Sequence, residues 1–324
     1  MGVALINLHN CGELIFLHHL ANYLPINRGI KVRTRVTTRD TDGFASWGTD
    51  APSVPVLLSV PHAGRDYPND IYDALRLPPA ALVRLEDRYA DLLTRRCVQM
   101  GHPVIMAHRA RAWIDLNRDT QDIDADMVQG AQRGDYPSPG VKTRGGLGLI
   151  PRRLSGEGEL WKRQFTLDEV QHRITSFHQP YHDAVGAILE RMRQRFGVAI
   201  LLDLHSMPPI RSAADGAAPQ FVVGDRFGKS AASIYAELLL SRLHAQGYVA
   251  ALNHPYAGAY ILRRHARPRA NMHALQLEVD RSLYLDSDLR QPGAGLDHIS
   301  ALIPALVAAL ADEALGSAAL IAAE

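Results

Sequence analysis

The sequence predicts an α/β protein in which one domain has a central mixed, largely parallel sheet flanked by helices on both faces. Three observations favour this fold. From residue 54 onward, apolar runs alternate with segments of helical periodicity. The runs hold few polar residues, as expected of strands buried on both faces. No internal repeat or low-complexity linker divides the 324 residues, whose 47% hydrophobic content is enough for one large core.

The predicted elements follow one another in the order that such a sheet requires. In chain order they are the strand "VPVLLSV", a helix near 79–99, the strands "HPVIMAH" and "AWIDL", a helical region over 166–196, the strand "VAILLDLH", the strand "FVVGD", a helix over about 228–246, the strands "YVAALN" and "ALQLEVD", and an Ala/Leu-rich helix from about 296 to 323.

Two segments do not fit this alternation. Residues 1–50 lack clear periodicity, and we predict a poorly defined N-terminal extension there, followed by a folded domain over 51–324. Residues 120–165 are rich in glycine, proline and charge. A connection of this length in a compact domain is either a functional loop, such as a lid, or a mobile surface excursion, and the sequence leaves both open.

The composition restricts the class of partner. A formal net charge of +1 provides no global field for nucleic acid or an anionic membrane, so we expect a small anionic substrate instead. The two cysteines, Cys11 and Cys97, are far apart, which argues against a disulfide framework or a thiolate metal site and fits a reducing compartment. We recognise no signal peptide and no apolar run long enough to span a bilayer, so we expect a cytoplasmic protein. The sequence does not fix the oligomeric state.

Two of the predicted buried strands end at a histidine. "VLLSVPHAG" leads to His62, and "AILLDLHSMP" leads to His205. Parallel strands present their chemistry at their carboxyl ends, so these imidazoles predict a metal or acid/base site there. Asp203 lies on the same strand face as His205 and could orient it. The small residues Ala63 and Gly64 would leave room for a ligand beside His62.

A catalytic zinc ion usually has three protein ligands, so one ligand is missing from this pair. Asp66, Glu86 and Asp87 are the candidates. The segment "RLEDRYADLL" has a helical pattern, and its carboxylates could equally belong to a solvated helix face.

Further candidates lie on two other predicted strands. Alternation along "HALQLEVD" places Glu278 on the face opposite the leucines, and a carboxylate in such a run is costly to bury without a task. It is therefore a candidate general base, although an edge strand with one wet face would also accommodate it. In "RARAWIDLNRD", Arg111 and Arg118 could each bind a carboxylate with two hydrogen bonds.

The ordered set of motifs "SVPHAG", "LEDRYADLL", "RAWIDLNRD", "GGLGLIPR", "PYHDA", "LLDLHSMP", "VVGDRFG", "NHPYAGAYILRRH" and "HALQLEVDRSLY" resembles the N-formylglutamate amidohydrolase family over roughly residues 52–290. That family is similar in architecture to the zinc carboxypeptidases. The resemblance therefore implies a zinc-carboxypeptidase-like, phosphorylase/hydrolase-like fold for 51–324, the amidohydrolase domain.

The resemblance also implies roles for individual residues. "IDLNR" resembles the segment whose asparagine and arginine hold a substrate carboxylate, which suggests Asn117 and Arg118 for substrate binding, with Arg264 as a further candidate. "LQLEVD" resembles the strand that carries the catalytic glutamate, which suggests Glu278. Arg111 matches an arginine that clamps the reacting carbonyl oxygen.

The chain departs from the wider pattern at two positions. Arg65 stands where zinc carboxypeptidases place a glutamate ligand, so the resemblance transfers the third ligand role to Asp87, with Asp66 as the fallback. Ala259 replaces a glycine of the family, a change that bears on substrate identity.

Together these matches imply a zinc-dependent amidohydrolase, in which Zn²⁺ or a similar divalent ion is held by His62, Asp87 and His205. The implied reaction converts N-formyl-L-glutamate to formate and L-glutamate, a step of histidine degradation. Two alternatives remain open at this point: hydrolysis of another N-acyl amino acid or peptide-like amide on the same scaffold, and non-catalytic binding of acidic ligands.

Overall fold

The computed structural model describes residues 38–322, except 42, 133 and 211–217. All of the described residues belong to one compact unit. Of the predicted N-terminal extension, residues 1–37 lie outside the described part of the chain. Residues 38–40 and 44–47 form two strands of the main sheet, so the sheet begins inside the segment that the sequence assigned to the extension.

The main sheet is mixed and mostly parallel, as the sequence predicts. The strands are β1 (Thr38–Asp40), β2 (Phe44–Trp47), β3 (Val56–Val60), β4 (Val104–Ala107), β7 (Ala199–Met207), β8 (Phe221–Gly224), β9 (Ala250–Leu252) and β10 (Met272–Asp280). Their order in the sheet is β1-β2-β4-β3-β7-β10-β8-β9, and β3-β4, β3-β7, β7-β10 and β8-β9 are the parallel pairs. A separate small hairpin consists of β5 (Arg153–Leu154) and β6 (Gly158–Glu159).

The helices of the described residues vary widely in length. They are α1 (Asn69–Ala74), α2 (Ala90–Leu93), α3 (Arg95–Gln99), α4 (Val141–Arg144), α5 (Leu167–Arg173), α6 (Gln179–Phe196), α7 (Ser233–Ala245), α8 (Tyr260–His265) and α9 (Leu296–Ala322). A π-helical turn, Ile174–His178, joins α5 to α6, and short 3₁₀ turns occur at Pro79–Leu85, Ala125–Met127, Pro268–Ala270 and Arg281–Leu283. The helical region predicted over 166–196 is therefore continuous.

Both faces of the sheet are covered. Along β3 and β7 every residue is buried, and successive side chains point to opposite faces. On one face, Leu57 and Leu201 pack with Tyr181 and Val185 of α6. On the other face, α9 packs against β3 and against α2, α3 and α7. The central strands are thus a rigid platform for the side chains at their carboxyl ends.

Helix α9 contains a segment, Leu296–Ala318, that is long and apolar enough to cross a membrane by length and composition alone. Asp312 and Glu313 interrupt this segment, so it is not an uninterrupted apolar run of the kind that the sequence predicts to be absent. Its apolar residues form a buried stripe at spacings of three and four, which includes Ile299, Ile303, Leu306 and Leu310. Because this stripe packs inside the fold, α9 has the character of a core helix of an α/β protein.

Two predicted elements are wrong. The helix expected near 79–99 is instead three short pieces, which are interrupted at residues 86–89, where Tyr89 adopts a left-handed conformation with φ of 58°. The segment "AWIDL" forms turns instead of a strand, although Trp113, Ile114 and Leu116 are buried as an apolar strand would be. Its backbone bonds to a loop, because Asp115 N–H donates to Leu149 O over 2.7 Å.

Candidate active site

His62 lies two residues beyond β3, and the residue is 2% exposed. Its Nε2–H donates to Asp115 Oδ1 over 2.7 Å, and Asp115 is completely buried. Because a carboxylate at this distance keeps the proton on Nε2, Nδ1 is left as an acceptor. That Nδ1 atom is buried without a hydrogen-bond partner among the described residues. An unpartnered imidazole nitrogen with this tautomer fixed is what a metal ligand requires.

His205 has the same arrangement on β7. It lies inside the strand instead of at its end, which corrects the sequence-based placement. Its Nε2–H donates to Asp203 Oδ2 over 2.8 Å, and Asp203 Oδ1 accepts from the Ser59 hydroxyl over 2.7 Å. The predicted pairing of Asp203 with His205 on one strand face is therefore present in the structure. Again Nδ1 is directed away from the orienting carboxylate, and it lies 2.9 Å from Asp87 Oδ2.

Asp87 reaches the two histidines because the chain is not helical at this point. Its backbone N–H donates to His62 O over 2.9 Å, which ties the turn to the end of β3. The side chain is 3% exposed, and Oδ1 accepts a hydrogen bond from Arg281 Nη2 over 3.1 Å. Oδ2 faces the histidines, 3.6 Å from His62 Nδ1.

Three donor atoms thus converge: the Nδ1 atoms of His62 and His205 and Oδ2 of Asp87, and one such atom from each residue lies within 4.8 Å of the others. Two imidazoles and a carboxylate are a donor set typical of catalytic zinc. Bonds of about 2 Å to one ion place its donors no more than about 4 Å apart, and Asp87 Oδ2 already lies 3.6 Å from His62 Nδ1 and 2.9 Å from His205 Nδ1. The residues present fit a divalent ion, and this group could bind one.

The electrostatics of the group favour a cation. Burial alone would lower the pKa of His205, but the charges and hydrogen bonds of Asp203 and Asp87 raise that pKa well above its usual value. Burial would raise the pKa of Asp87, but the hydrogen bond with His205 and the charges of His205 and His62 hold that pKa well below its usual value. The raised pKa of His205 reports the negative potential of Asp203 and Asp87, which attracts a metal ion as well as a proton, and the lowered pKa of Asp87 keeps that carboxylate ionised.

Glu278 is next to His205 across the sheet. The two residues are paired in the parallel register of β7 and β10, so their side chains share a face. Glu278 is 8% exposed, and Oε1 accepts from Gln276 Nε2 over 2.9 Å. Burial raises the pKa of Glu278 to about 7, with the charge of His205 opposing that shift and the charge of Asp87 adding to it. A carboxylate with a pKa in this range can exchange a proton near neutral pH.

Arg111 lies on the same side of the group. Its Nε donates to Asp115 Oδ2 over 2.8 Å. Burial would lower the pKa of Arg111, but the charges of Asp115 and Asp87, with a smaller contribution from Glu278, raise it. The guanidinium is therefore held as a cation, close enough to Asp87 and Glu278 for their charges to affect its pKa.

Asn117 and Arg118 line a cavity of about 300 Å³ whose lining does not include His62 or His205. Asn117 Oδ1 accepts from Ile261 N–H over 3.0 Å, while its Nδ2 lies 3.5 Å from His205 Nε2. Arg118 is 7% exposed and donates to two backbone carbonyls, Leu147 O and Asn117 O. The side-chain oxygen of Asn117 is therefore used within the protein, whereas Arg118 presents charge at the cavity wall.

A network of three buried histidines is hydrogen-bonded to the backbone of Leu116 and Arg118. His178 Nε2–H donates to Arg118 O and His182 Nε2–H donates to Leu116 O, each over 2.9 Å. His182 Nδ1 must then accept, and it lies 3.0 Å from His265 Nε2, which donates. Burial lowers the pKa of all three imidazoles, that of His265 to about 3. The network is therefore neutral at physiological pH.

Several sequence candidates are not brought to the group. Asp66 pairs with Arg109 over 2.6 Å, and Glu86 pairs with Arg88 over 2.7 Å, so neither faces the histidines. Arg264 donates to the Tyr260 hydroxyl over 2.9 Å, with its other nitrogen 3.5 Å from Asp183. The neighbouring Arg263, rather than Arg264, lines the cavity.

Gly64 has a different role from the one expected. A Cβ atom at Gly64 would lie 2.1 Å from Arg109 O, so the residue is small because two backbone segments meet there. This packing, and not space for a ligand, explains the glycine after His62.

Sequence reasoning missed Arg281, whose guanidinium holds Asp87. Its Nη2 donates to Glu86 O over 2.6 Å as well as to Asp87 Oδ1, and its Nε donates to the Ser206 hydroxyl over 3.0 Å. The motif "LEVDRSLY" contains this arginine, but no local pattern indicates that it reaches back to residues 86 and 87. The role of Asp115 as the partner of His62 was also missed.

Comparison with known proteins relates the chain to one family. Residues 54–285 match the family model of N-formylglutamate amidohydrolase. The chain is 32% identical over 249 residues to an N-formylglutamate deformylase of Pseudomonas putida, covering 74% of this chain and 88% of that protein. It is 28% identical over 237 residues to an N-formylglutamate deformylase of Pseudomonas aeruginosa, covering 72% and 83%.

A solved structure is similar throughout the domain. The crystal structure of N-formylglutamate amidohydrolase from Ralstonia eutropha JMP134 matches with a TM-score of 0.75 at 30% identity, and the match covers 85% of this chain and 98% of that one. The family match extends over most of the described domain and includes every residue of the candidate metal group. The chain belongs to the N-formylglutamate amidohydrolase family.

Proposed function

We propose that this chain is a metal-dependent enzyme that hydrolyses N-formyl-L-glutamate to formate and L-glutamate. The observation that carries the proposal is the convergence of His62 Nδ1, His205 Nδ1 and Asp87 Oδ2 beside the buried carboxylate of Glu278. The relatives named as N-formylglutamate deformylases support the choice of substrate. A divalent ion held by these three residues, most simply Zn²⁺, would polarise the formyl carbonyl and acidify the attacking water.

Glu278 is the proposed general base. It accepts the proton of the water that attacks the formyl carbon, and it returns that proton to the amide nitrogen as the C–N bond breaks. One carboxylate can serve both steps, and its pKa of about 7 suits proton transfer in each direction. The products are then formate and the free amine of glutamate, so no other reactant is needed.

Arg111 is the proposed electrostatic stabiliser. Asp115 fixes its Nε, which leaves the far side of the guanidinium for the oxygen that gains negative charge when water attacks. One such donor is typically worth on the order of 10²–10³ in rate. Arg118, at the cavity wall, would bind a substrate carboxylate, and Asn117 would contribute its amide nitrogen.

The relatives and the fold are consistent with a soluble enzyme, and we further propose that it works in the cytoplasm, in histidine degradation, without a nucleic-acid or membrane partner. The near-zero net charge and the packing of α9 inside the fold support this assignment.

The test is release of the free amino acid by the purified full-length chain from N-formyl-L-glutamate, N-acetyl-L-glutamate and N-formyl-L-methionine, with the carboxylate product identified as formate or acetate. We expect turnover of the first compound to exceed that of both others by at least about tenfold. Preferred turnover of an acetyl or neutral substrate would assign the chain to another N-acyl amino acid. If none of the three compounds is turned over but the protein binds L-glutamate, the chain would be a non-catalytic binding protein.

A further inference from the structure

The cavity beside the candidate metal group is lined on several sides by basic residues. Its basic lining residues come from four separate segments and are Arg118, Lys142, Arg226 and Arg263. Asp122 is the one acidic lining residue in the described parts of the chain. The cavity also reaches Asn117, whose Nδ2 is 3.5 Å from His205 Nε2. Asn117 is thus the link between this basic cavity and the candidate metal group, whose three residues do not themselves line the cavity.

Two of these cations lack an ionic partner. Arg263 pairs with Asp119 over 2.6 Å, but neither Lys142 nor Arg226 has a carboxylate within 4.0 Å among the described residues. Burial, followed by the charge of Arg118, lowers the pKa of Lys142. Burial, followed by the charge of Arg263, lowers the pKa of Arg226. Unpaired, mutually repelling cations around one cavity are a surface on which an anion would bind favourably.

The backbone at Arg226 supports a functional role. Arg226 and Phe227 are consecutive non-glycine residues with φ of 55° and 58°. The conformation is held by Asn253, whose Oδ1 accepts from Asp225 N–H and Phe227 N–H over 3.0 and 3.3 Å. Asn253 Nδ2 in turn donates to Asp225 Oδ1 over 2.7 Å. Left-handed backbone outside glycine is costly, and it concentrates where a side chain must be aimed at a ligand.

We propose that Arg226 and Lys142 form the subsite for the side-chain carboxylate of the acidic substrate and so select it over neutral N-formyl amino acids. This assignment rests on the proposed function and adds the residues that read the substrate's second negative charge. The turn after β8 aims Arg226 into the cavity, and α4 brings Lys142 from the long 120–165 connection. Arg118, nearer to Asp115 and the histidines, remains for the α-carboxylate.

The experiment compares N-formyl-L-glutamate with N-formyl-L-glutamine, which has nearly the same shape without the side-chain charge. Wild type, Arg226→Met and Lys142→Met are assayed for kcat and KM on both compounds. Arg269→Met and Lys162→Met are the matched controls, since both residues are exposed and lie outside the cavity lining. Thermal unfolding of each variant checks its folding.

For Arg226→Met we expect kcat/KM on N-formyl-L-glutamate to fall on the order of 10- to 100-fold, mainly through KM, because a charged hydrogen bond is lost. Turnover of N-formyl-L-glutamine should change less than about threefold. Lys142→Met should show the same pattern with a smaller loss, because its side chain is more exposed. Equal losses on both compounds, or no loss on either, would overturn the subsite.

Binding separates the subsite from the proposed reaction. Calorimetry with L-glutamate and L-glutamine requires no turnover and tests the same carboxylate. Wild type should bind L-glutamate at least about tenfold more tightly, and Arg226→Met should lose that preference. If no N-formyl substrate is turned over but this preference is present and lost in the variant, the reaction is wrong and the subsite stands. If formate is released but the preference is unaffected by both variants, the subsite is wrong.

Discussion

Asp115 and His62 form a buried pair in which the Nε2–H of the imidazole donates to the carboxylate over 2.7 Å. Asp203 makes the equivalent contact with His205. Each carboxylate holds the Nε2–H of its histidine and so directs the other ring nitrogen, Nδ1, toward Asp87. In the proposed metal site, binding would therefore depend on two carboxylates that do not contact the ion.

Removing the charge of Asp115 is predicted to weaken metal binding. Asp115→Asn keeps the shape of the side chain but no longer stabilises the Nε2–H tautomer of His62, so zinc affinity should fall by roughly 10- to 100-fold. Competition with a fluorescent chelator measures that affinity directly. Asp288→Asn, an exposed carboxylate change, is the control. Unchanged affinity in Asp115→Asn would mean that the pair does not position a ligand.

Glu278→Gln is predicted to separate chemistry from metal binding. The amide cannot take a proton from water, so formate release should fall on the order of 10²- to 10⁴-fold. Because Glu278 is not one of the three donor residues, the zinc content of the variant should equal that of wild type. Formate release and elemental analysis on the same sample give both values. Wild-type turnover in the variant would show that Glu278 is not the general base.

Arg281→Met tests the support of the third ligand. Loss of the hydrogen bonds to Asp87 Oδ1 and Glu86 O frees the turn that holds Asp87. We expect the chelator concentration that halves activity to fall by about tenfold, with KM for substrate unchanged. Arg281→Lys should recover part of the loss, because it restores the charge without the paired donors. A change in KM alone would instead indicate direct contact with substrate.

Stability is predicted to fall in mild acid because of the buried histidines. Burial lowers the pKa of His265 to about 3, below its unfolded value near 6.5. The stability that this neutral imidazole contributes is therefore complete above pH 6.5 and is lost as the pH falls toward 3, by up to about 5 kcal/mol in total. Urea unfolding at pH 7.5, 5.5 and 4.5 measures the slope.

His265→Gln should flatten that slope, because glutamine can donate to His182 without titrating. The exposed His298 provides the control, and His298→Gln should retain the wild-type slope. Identical slopes in wild type and both variants would exclude the buried network as the source of acid sensitivity.

Regular patterns in the sequence were sufficient to predict much of the site. Strand alternation predicts that Asp203 and His205 share a face of one strand and that Glu278 lies opposite the leucines of another, because side chains along a strand repeat every two residues. The register of β7 and β10, which pairs Glu278 with His205, comes from the structure alone. His62 could be found in the same way, from the end of an apolar run.

The residues that the sequence could not place depend on contacts between distant segments. Asp87 lies in a stretch with a helical pattern, and only the hydrogen bond from its backbone to His62 O shows why that helix is broken. Arg281 contacts Asp87, which is far away in the sequence, and Arg226 has a left-handed backbone. Neither feature produces a local sequence pattern. Family resemblance could identify Asp87, but it assigned Arg264 where the structure brings Arg263 to the cavity.

The most direct test of the account is to remove metal from the purified chain and to titrate Zn²⁺ back while formate release from N-formyl-L-glutamate is measured. We predict that the metal-free protein is inactive, that activity returns in proportion to zinc, and that it saturates at one equivalent per chain. Undiminished formate release by protein shown to be free of metal would contradict the proposal that His62, Asp87 and His205 hold a catalytic ion.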